Sequence, residues 1–365
     1  MKTVYYVGLD VHKDTIQMAV LGNRGKEPVT AKGLPNDPLK VVKALAPYQE
    51  KGNVQVAYEA GCMGYTLYRS LTEFGFDCRV IPPNKVFHRG GCEEKVKTDK
   101  RDAVDIAWML RRDEGESIAI PSQEDEAARD LIRCRSDLKD DLKRTKQRLL
   151  KFLLRHGYNY DTDQYWTKRY YDWLKSLKFE WPLEKETFAQ YLSHIESLED
   201  RIGRIDATIK EVAESEVYVE RVQKFRAFKG IDYLIALSLV CEIGDFKRFP
   251  TAQSFMAFLG LVPKENSSGK KRQQGGITKT GNGHLRKLLT EAAWQYVRPP
   301  VVGKPLAKRR VGVDESTIAS ADKAIKRLHN KYVKLLFKGK PKQMAVTAVA
   351  RELSGFLWGV MNMVS

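Results

Sequence analysis

Cysteine is scarce and scattered: the 365-residue chain has five, Cys62, Cys78, Cys92, Cys134 and Cys241, with no short paired spacing. That excludes a Cys-x-x-Cys zinc site and a dense disulfide framework, and it suits a reducing cytosol. Long apolar runs are missing as well. The richest, Tyr233 to Cys241, falls far short of the roughly 20 residues that a bilayer-spanning helix needs. The amino-terminal segment passes straight into Val4 to Val7 without the basic stretch and apolar core of a leader, so secretion and membrane insertion are not expected and a cytoplasmic location is. No Gly-x-x-x-x-Gly-Lys-Ser/Thr segment is present, which removes P-loop ATP chemistry from consideration. Acids are in deficit, 46 Asp and Glu against 63 Lys and Arg.

The resulting net charge of +17, with an isoelectric point near 9.5, favours a polyanionic partner. The surplus is uneven: from Lys264 to Lys342 there are twenty Lys and Arg against five Asp and Glu. A charge run by itself is a solvated face, but this one sits among Gly, Ser and Thr rather than in Glu/Lys pairs, the pattern of a nucleic-acid contact. At 365 residues and 42% hydrophobic content the chain can bury more than one core, and two or three domains are expected.

Against this basic background a few acids stand at breaks in the pattern. Asp10 ends the run Tyr5-Tyr6-Val7-Gly8-Leu9, and Glu59 ends Val54-Gln55-Val56-Ala57-Tyr58; both runs read as strands. Asp99 and Asp102 are three apart in a segment that continues through Asp105 to Leu110 as a helix, so they share one face. Strand ends are where α/β sites sit, and like charges on one face repel unless a cation joins them. Hard carboxylate oxygens are what Mg²⁺ takes, and such ions assist phosphoryl transfer. Spacing alone leaves open four ordinary solvated acids.

Around these acids the elements follow a consistent order. A second strand is expected over Thr15 to Val20, a shorter third over Pro28 to Leu34, and a helix over Leu39 to Glu50. After the Glu59 strand come a helix from Tyr65 to Phe74 and a short strand from Cys78 to Ile81, stopped by Pro82-Pro83. From Glu124 long helices take over. Leu131, Leu138, Leu142, Leu149 and Phe152, then Phe188, Tyr191, Ile195, Leu198, Ile202, Ile205, Ile209 and Val212, keep a spacing of three and four that predicts an antiparallel coiled-coil arm suited to dimerisation. An insert over 157–183 is rich in Tyr and Trp interleaved with Lys168, Arg169, Lys175 and Lys178. It reads equally as a platform for unpaired bases and as a packed cap. Phe228-Lys229-Gly230-Ile231-Asp232 before an apolar helix has the form of a helix-hairpin-helix, but Asp232 would repel a phosphate. Asp314 to Ile318 interrupts the basic tail, a basic amphipathic helix is expected over Lys323 to Leu336, and an apolar one over Met344 to Val360.

Gly8-Leu9-Asp10-Val11-His12-Lys13, Tyr58-Glu59-Ala60, Lys97-Thr98-Asp99-Lys100-Arg101-Asp102-Ala103, and Phe258-Leu259-Gly260-Leu261-Val262-Pro263 with Ser267-Ser268-Gly269 closely resemble the one-hundred-and-ten family of bacterial insertion-sequence transposases, over nearly the whole chain. The resemblance implies an α/β plus all-α architecture: a RuvC-like, ribonuclease-H-type domain over 1–113, the coiled-coil arm over 114–222, and a mostly helical domain over 223–365 that carries a serine loop. It implies a metal-binding catalytic quartet, Asp10, Glu59, Asp99 and Asp102, and a catalytic Ser268. Only the resemblance selects Ser268 over Ser267.

A serine hydroxyl is a weak nucleophile, and the nearest histidine, His284, stands sixteen residues away. The expected site is therefore composite, with Mg²⁺ on the quartet assisting Ser268. Lys270, Lys271 and Arg272 would offset transition-state charge, and Lys279, Arg286 and Lys287 are further candidates for phosphate contact. By resemblance the partners are donor and target double-stranded DNA, a structured bridge RNA that chooses them by base pairing, and further copies of the chain, as a dimer or as a tetramer on DNA. The alternatives are a RuvC-type nuclease or junction resolvase that activates water, and a non-catalytic nucleic-acid-binding relative.

Overall fold

The computed structural model describes residues 3–25, 27–83, 99–114, 116–265 and 274–363, with the side chains of Asp99 and Gln274 excepted. The chain divides into two compact units, Met1–Ile120 and Pro121–Ser365.

In the first unit, β1 (Val4–Val11), β2 (Thr15–Leu21) and β3 (Thr30–Pro35) form an antiparallel meander. They are followed by α1 (Pro38–Gln49), β4 (Asn53–Glu59), α2 (Thr66–Glu73), β5 (Asp77–Ile81) and α3 (Asp99–Arg111). The sheet order is β3-β2-β1-β4-β5, with β4 parallel to β1 and β5 parallel to β4. Strands first as a meander and then alternating with helices is the order read from the sequence. The third strand starts two residues later than expected, at Thr30, and the first helix begins at Pro38, where Asp37 caps it by accepting from the Leu39 amide.

Alternation along the strands assigns two faces. Val7 and Leu9 of β1, Ile16, Met18 and Val20 of β2, and Val54, Val56 and Tyr58 of β4 pack with Val41 and Leu45 of α1 and Leu67 and Leu71 of α2. Tyr6, Ala57 and Ile81 face the other way, against Ile106, Met109 and Leu110 of α3. Gly8 belongs to this second face, and a Cβ there would overlap the carbonyl oxygen of Ala103 and the amide of Ala107. The backbone of α3 thus lies directly on β1.

Among its described residues the second unit is helical except for one hairpin: α4 (Gln123–Arg155), α5 (Lys168–Ser176), α6 (Pro182–Ala213), α7 (Val219–Arg226), α8 (Tyr233–Ile243), α9 (Ala252–Phe258), β6 (Pro263–Glu265), β7 (Gln274–Ile277), α10 (Gly283–Ala293), α11 (Lys304–Arg309), α12 (Glu315–Phe337) and α13 (Lys342–Asn362). Leu138, Leu142, Leu149 and Phe152 of α4 share a buried cluster with Phe188, Ile195, Leu198 and Ile202 of α6. Polar pairs fix the direction. Arg135 pairs with Asp206, Lys146 Nζ reaches Glu199 Oε1 at 2.6 Å, and His156 Nδ1 reaches Glu184 Oε1 at 2.9 Å. Partners recede on α6 as positions advance on α4, so the two helices are antiparallel.

One boundary differs clearly from the sequence reading. The basic helix begins at Glu315 rather than Lys323, because Asp314 is its N-cap, accepting from the Thr317 amide at 2.7 Å, and not an interruption. Asp314 is held at a pKa of about 2, chiefly by the hydroxyl of Ser316.

The helix-on-strand contact is directly testable. Gly8→Ala should destabilise the protein by about 1–3 kcal/mol in urea unfolding, as overpacking of a tight interface does. Gly61→Ala is the control, since nothing lies within 4 Å of a Cβ there. Equal stability of the two variants would disprove the close approach.

Candidate active site

The two strand-borne acids are brought together by parity and register. Leu9 of β1 pairs with Tyr58 of the parallel β4, so Asp10 and Glu59 are the next residues on adjacent strands, at the same carboxyl-terminal edge. Both fall on the α3 face, being even steps from Gly8 and Ala57. The Asp10 side chain is 17% exposed and its Oδ2 lies 3.1 Å from Nε2 of His12, two residues on.

The direction of α3 follows from two anchors. Its middle sits on Gly8 through Ala103 and Ala107. Its carboxyl end is held by Arg111, whose Nη1 donates to the Gly22 carbonyl at 3.3 Å and the Gly25 carbonyl at 2.7 Å. Gly22 follows Leu21, which pairs with Tyr6 near the start of β1. Hence α3 runs against β1, and its amino-terminal turns, with Asp99 and Asp102, lie toward the Asp10 end. Asp102 and Asp105 are buried, at 9% and 8% exposure.

Among the described residues no group of three or more Asp, Glu, His or Cys stands together as a ready metal site. Of the sequence-predicted quartet, the structure brings Asp10 and Glu59 to one edge and turns the Asp102 end of α3 toward it; the Asp99 side chain lies outside the described residues. The donor chemistry nonetheless suits a hard divalent cation. All four are carboxylates, and Gln17, cross-strand from Asp10, has a buried Oε1 with no hydrogen-bond partner among the described residues. Gln17 and His12 were not singled out from the sequence. Their signal is positional, Gln17 opposite Asp10 in the hairpin and His12 two residues along.

In the second unit, Ser268, Lys270, Lys271 and Arg272 lie outside the described residues. Their segment connects β6 and β7, which pair antiparallel with Pro263 opposite Ile277 and Glu265 opposite Gln274. This hairpin was not expected from its polar, glycine-rich sequence. Beyond it, Gly260 and Gly281, both with positive φ, let two turns approach so closely that Cβ atoms would overlap the carbonyls of Thr280 and Phe258. Lys279 is exposed, with φ of 58°. Arg286 is half-buried and its Nη1 donates to the Leu259 carbonyl at 3.0 Å, which ties it to that turn. Lys287 is exposed, with Nζ 3.8 Å from Asp140.

The start of α10 is set by a buried polar network. Glu242, 7% exposed, accepts from Arg133 Nη2 at 2.9 and 3.3 Å and from Asn282 Nδ2 at 3.0 Å. Asn282 also caps α10 by accepting from the Leu285 amide. At the other expected nucleic-acid element, Gly230 has φ of 84° and Asp232 caps α8, accepting from the Ile235 amide at 3.0 Å. The carboxylate occupies the place where a phosphate would meet that helix terminus.

Residues 7–157 match a DEDD transposase family model of the IS110 type, and residues 222–305 match the model of the transposase IS116/IS110/IS902 family. The transposase for insertion sequence element IS1533 of Leptospira borgpetersenii is 38% identical over 336 residues, 91% of this chain and 96% of the relative. The transposase for insertion sequence element IS1111A of Coxiella burnetii is 26% identical over 337 residues, 88% of each.

His284, beside the Glu242 network, provides a pH test. Its Nε2 is buried without a partner among the described residues. Burial holds its pKa below the ordinary 6.5, with Glu242 opposing and Arg133 and Lys287 reinforcing that shift. A histidine whose folded pKa is depressed favours the fold while neutral, so its contribution is complete above the unfolded pKa and is lost as pH falls below it. The melting temperature should therefore drop as pH falls below about 6.5, and His284→Gln should flatten that part of the profile. An unchanged slope in the variant would refute the assignment.

Proposed function

Because the chain belongs to the IS116/IS110/IS902 family of insertion-sequence transposases, we propose that it cuts and rejoins DNA through a phosphoserine intermediate formed on Ser268. Residues 1–113 serve as the RuvC-like catalytic domain, 114–222 as the arm, and 223–365 as the serine-bearing domain. The observation that carries the reading is the convergence of the Asp10 and Glu59 strand ends with the amino-terminal turns of α3, enforced by Gly8 and Arg111.

A DEDD-type domain suggests a divalent metal, and Mg²⁺ is the ion that Asp10, Glu59, Asp99 and Asp102 would hold. When bound, it supplies positive charge to the scissile phosphate and favours a serine alkoxide. The His12 ring beside Asp10 orients that carboxylate. Ser268 Oγ gives up its proton and attacks phosphorus; a P–Oγ bond forms, the bond to the leaving 3′-oxygen breaks, and that oxygen takes a proton. The phosphoserine retains the phosphodiester energy. A 3′-hydroxyl of the exchanged strand then attacks the same phosphorus and returns the serine hydroxyl, so no ATP is needed. Lys270, Lys271 and Arg272 stabilise the extra negative charge of the transition state. Lys279 is exposed for phosphate contact, whereas Arg286 serves through the turn it holds. Donor and target double-stranded DNA are selected by a bridge RNA, and copies of the chain act together as a dimer or tetramer.

The test is a Mg²⁺-dependent reaction of the protein, its associated RNA, and donor and target DNA, read on a denaturing gel for protein-linked DNA. The adduct is expected with the parent protein and should be lost in both Ser268→Ala and Asp10→Ala. Cleavage that persists in Ser268→Ala and disappears in Asp10→Ala would replace this mechanism with water attack by a RuvC-type nuclease. Binding without cleavage under any metal would leave a non-catalytic relative.

A further inference from the structure

The loop and helix between α4 and α6 carry a dense set of aromatic rings that the recombination chemistry does not use. Tyr160, Tyr165, Trp166 and Trp173 surround Tyr170, with ring centroids 4.9 to 5.4 Å from it. Rings that filled the tip completely would leave no room beside them. Instead two adjoining cavities remain, of about 330 Å³ and about 590 Å³, and Gln147 and Leu150 line both. The larger is within the range of small-ligand sites.

Three features of these cavities point to one kind of occupant. The larger is walled mainly by the rings of Tyr160, Tyr165, Tyr170 and Trp173, and the smaller by Trp166, Leu142, Leu150 and the stems of α4 lysines. The Tyr170 side chain is fully buried, yet its hydroxyl has no hydrogen-bond partner among the described residues. A buried hydroxyl left unsatisfied is costly, and a ligand edge would satisfy it. Finally, Lys139, Lys143, Gln147 and Lys151 fall four residues apart on α4, all exposed and all lining one cavity or the other. That spacing sets a polar and cationic row at intervals of about 6 Å along the helix. Lys146, by contrast, is committed, bonded to Glu199 at 2.6 Å and lying 4.5 Å above the Trp166 ring.

We propose that this tip binds unpaired nucleotides of a single strand, with bases in the two aromatic cavities, the Tyr170 hydroxyl on a base edge, and phosphates along Lys139, Lys143 and Lys151. Stacking accepts any base, and the lysine row follows the backbone, so the site recognises unpaired character rather than sequence. A duplex does not enter, because its bases are stacked on one another. The inference rests on the tip alone and stands or falls separately from the role of Ser268.

The experiment uses the full chain and short single-stranded probes, one an oligoribonucleotide containing 4-thiouridine and one its deoxy counterpart containing 4-thiothymidine. Each is photocrosslinked and the modified peptides are identified by mass spectrometry. Crosslinks are expected within residues 147–173, and an unlabelled duplex should compete poorly. Preference for one sugar identifies RNA or DNA as the source of the strand.

Tyr165→Ala, at a 40% exposed ring, and the pair Lys143→Glu with Lys151→Glu should each lower the yield about tenfold. Tyr170→Phe separates binding from folding. Deleting an unsatisfied buried hydroxyl should raise the melting temperature, while the loss of its base contact should lower crosslinking. Crosslinks confined to other segments, or yields unchanged in all three variants at unchanged or raised melting temperature, would overturn the proposal.

Discussion

The first unit depends on one contact between backbones, the seating of α3 on β1 at Gly8. A helix ordinarily stands off a sheet by the depth of two side chains. Here the strand contributes no side chain at the point of contact, and the helix contributes Ala103 and Ala107, both buried. The acids on either side are therefore carried toward one another without long side chains having to reach. Asp10 is two residues beyond Gly8 and Asp102 is the residue before Ala103, so the same contact that packs the core sets the spacing of the carboxylates. Strand parity is the second half of the constraint. A one-residue slip of β4 would turn Glu59 onto the α1 and α2 face, into the apolar cluster around Leu45 and Leu71.

The second unit meets a different problem, since an apolar seam on two long helices fixes which faces meet but not how far one helix slides along the other. The pairs Arg135 with Asp206, Lys146 with Glu199 and His156 with Glu184 are placed where sliding by one turn would break all three. Each alone contributes little where it is exposed. Their value is in choosing a register. Glu242 has the same role at greater depth: buried with Arg133 and Asn282 around it, it joins α4, α8 and the start of α10 at one point. Removing Arg133 would leave the buried Glu242 carboxylate without its cation, a loss of about 3–5 kcal/mol.

These two modes of construction explain what could be read from the residues beforehand. The sheet was legible because its alternation is strict, and because Asp10 and Glu59 stand where apolar runs stop. The helix carrying Asp102 was legible from the three-residue steps to Asp99 and Asp105. The consequence of Gly8 was not, since a glycine inside a strand does not say which backbone will approach it. The β6–β7 hairpin escaped because Gly275 and Gly276 give it no apolar alternation, and the start of α12 escaped because an aspartate that caps a helix has the same composition as one that interrupts it. The aromatic tip was read as either a packed cap or a base platform. Composition does not separate the two, because the same rings serve either: the Tyr170 ring is packed on four neighbours, while its hydroxyl has no partner among the described residues.

Charge placement completes the physical picture. A cluster of carboxylates and a strongly basic surface have opposite needs, and a basic side chain free to fold back on the acids would neutralise them. The basic residue at the carboxyl end of α3 is restrained against this. Arg111 lies 3.6 Å above the Trp108 ring and donates to the carbonyls of Gly22 and Gly25, at the end of the helix away from Asp102. The dense basic run from Lys264 to Lys342 belongs to the other unit. Within it Arg310 is itself buried, bonded to Asp322 at 2.7 Å and to the Ala227 carbonyl at 2.9 Å. Net charge therefore overstates the cations available to a nucleic acid. Arg111, Arg286 and Arg310 hold turns and helix ends in place, whereas Lys279 and the α4 lysines Lys139, Lys143 and Lys151 are exposed.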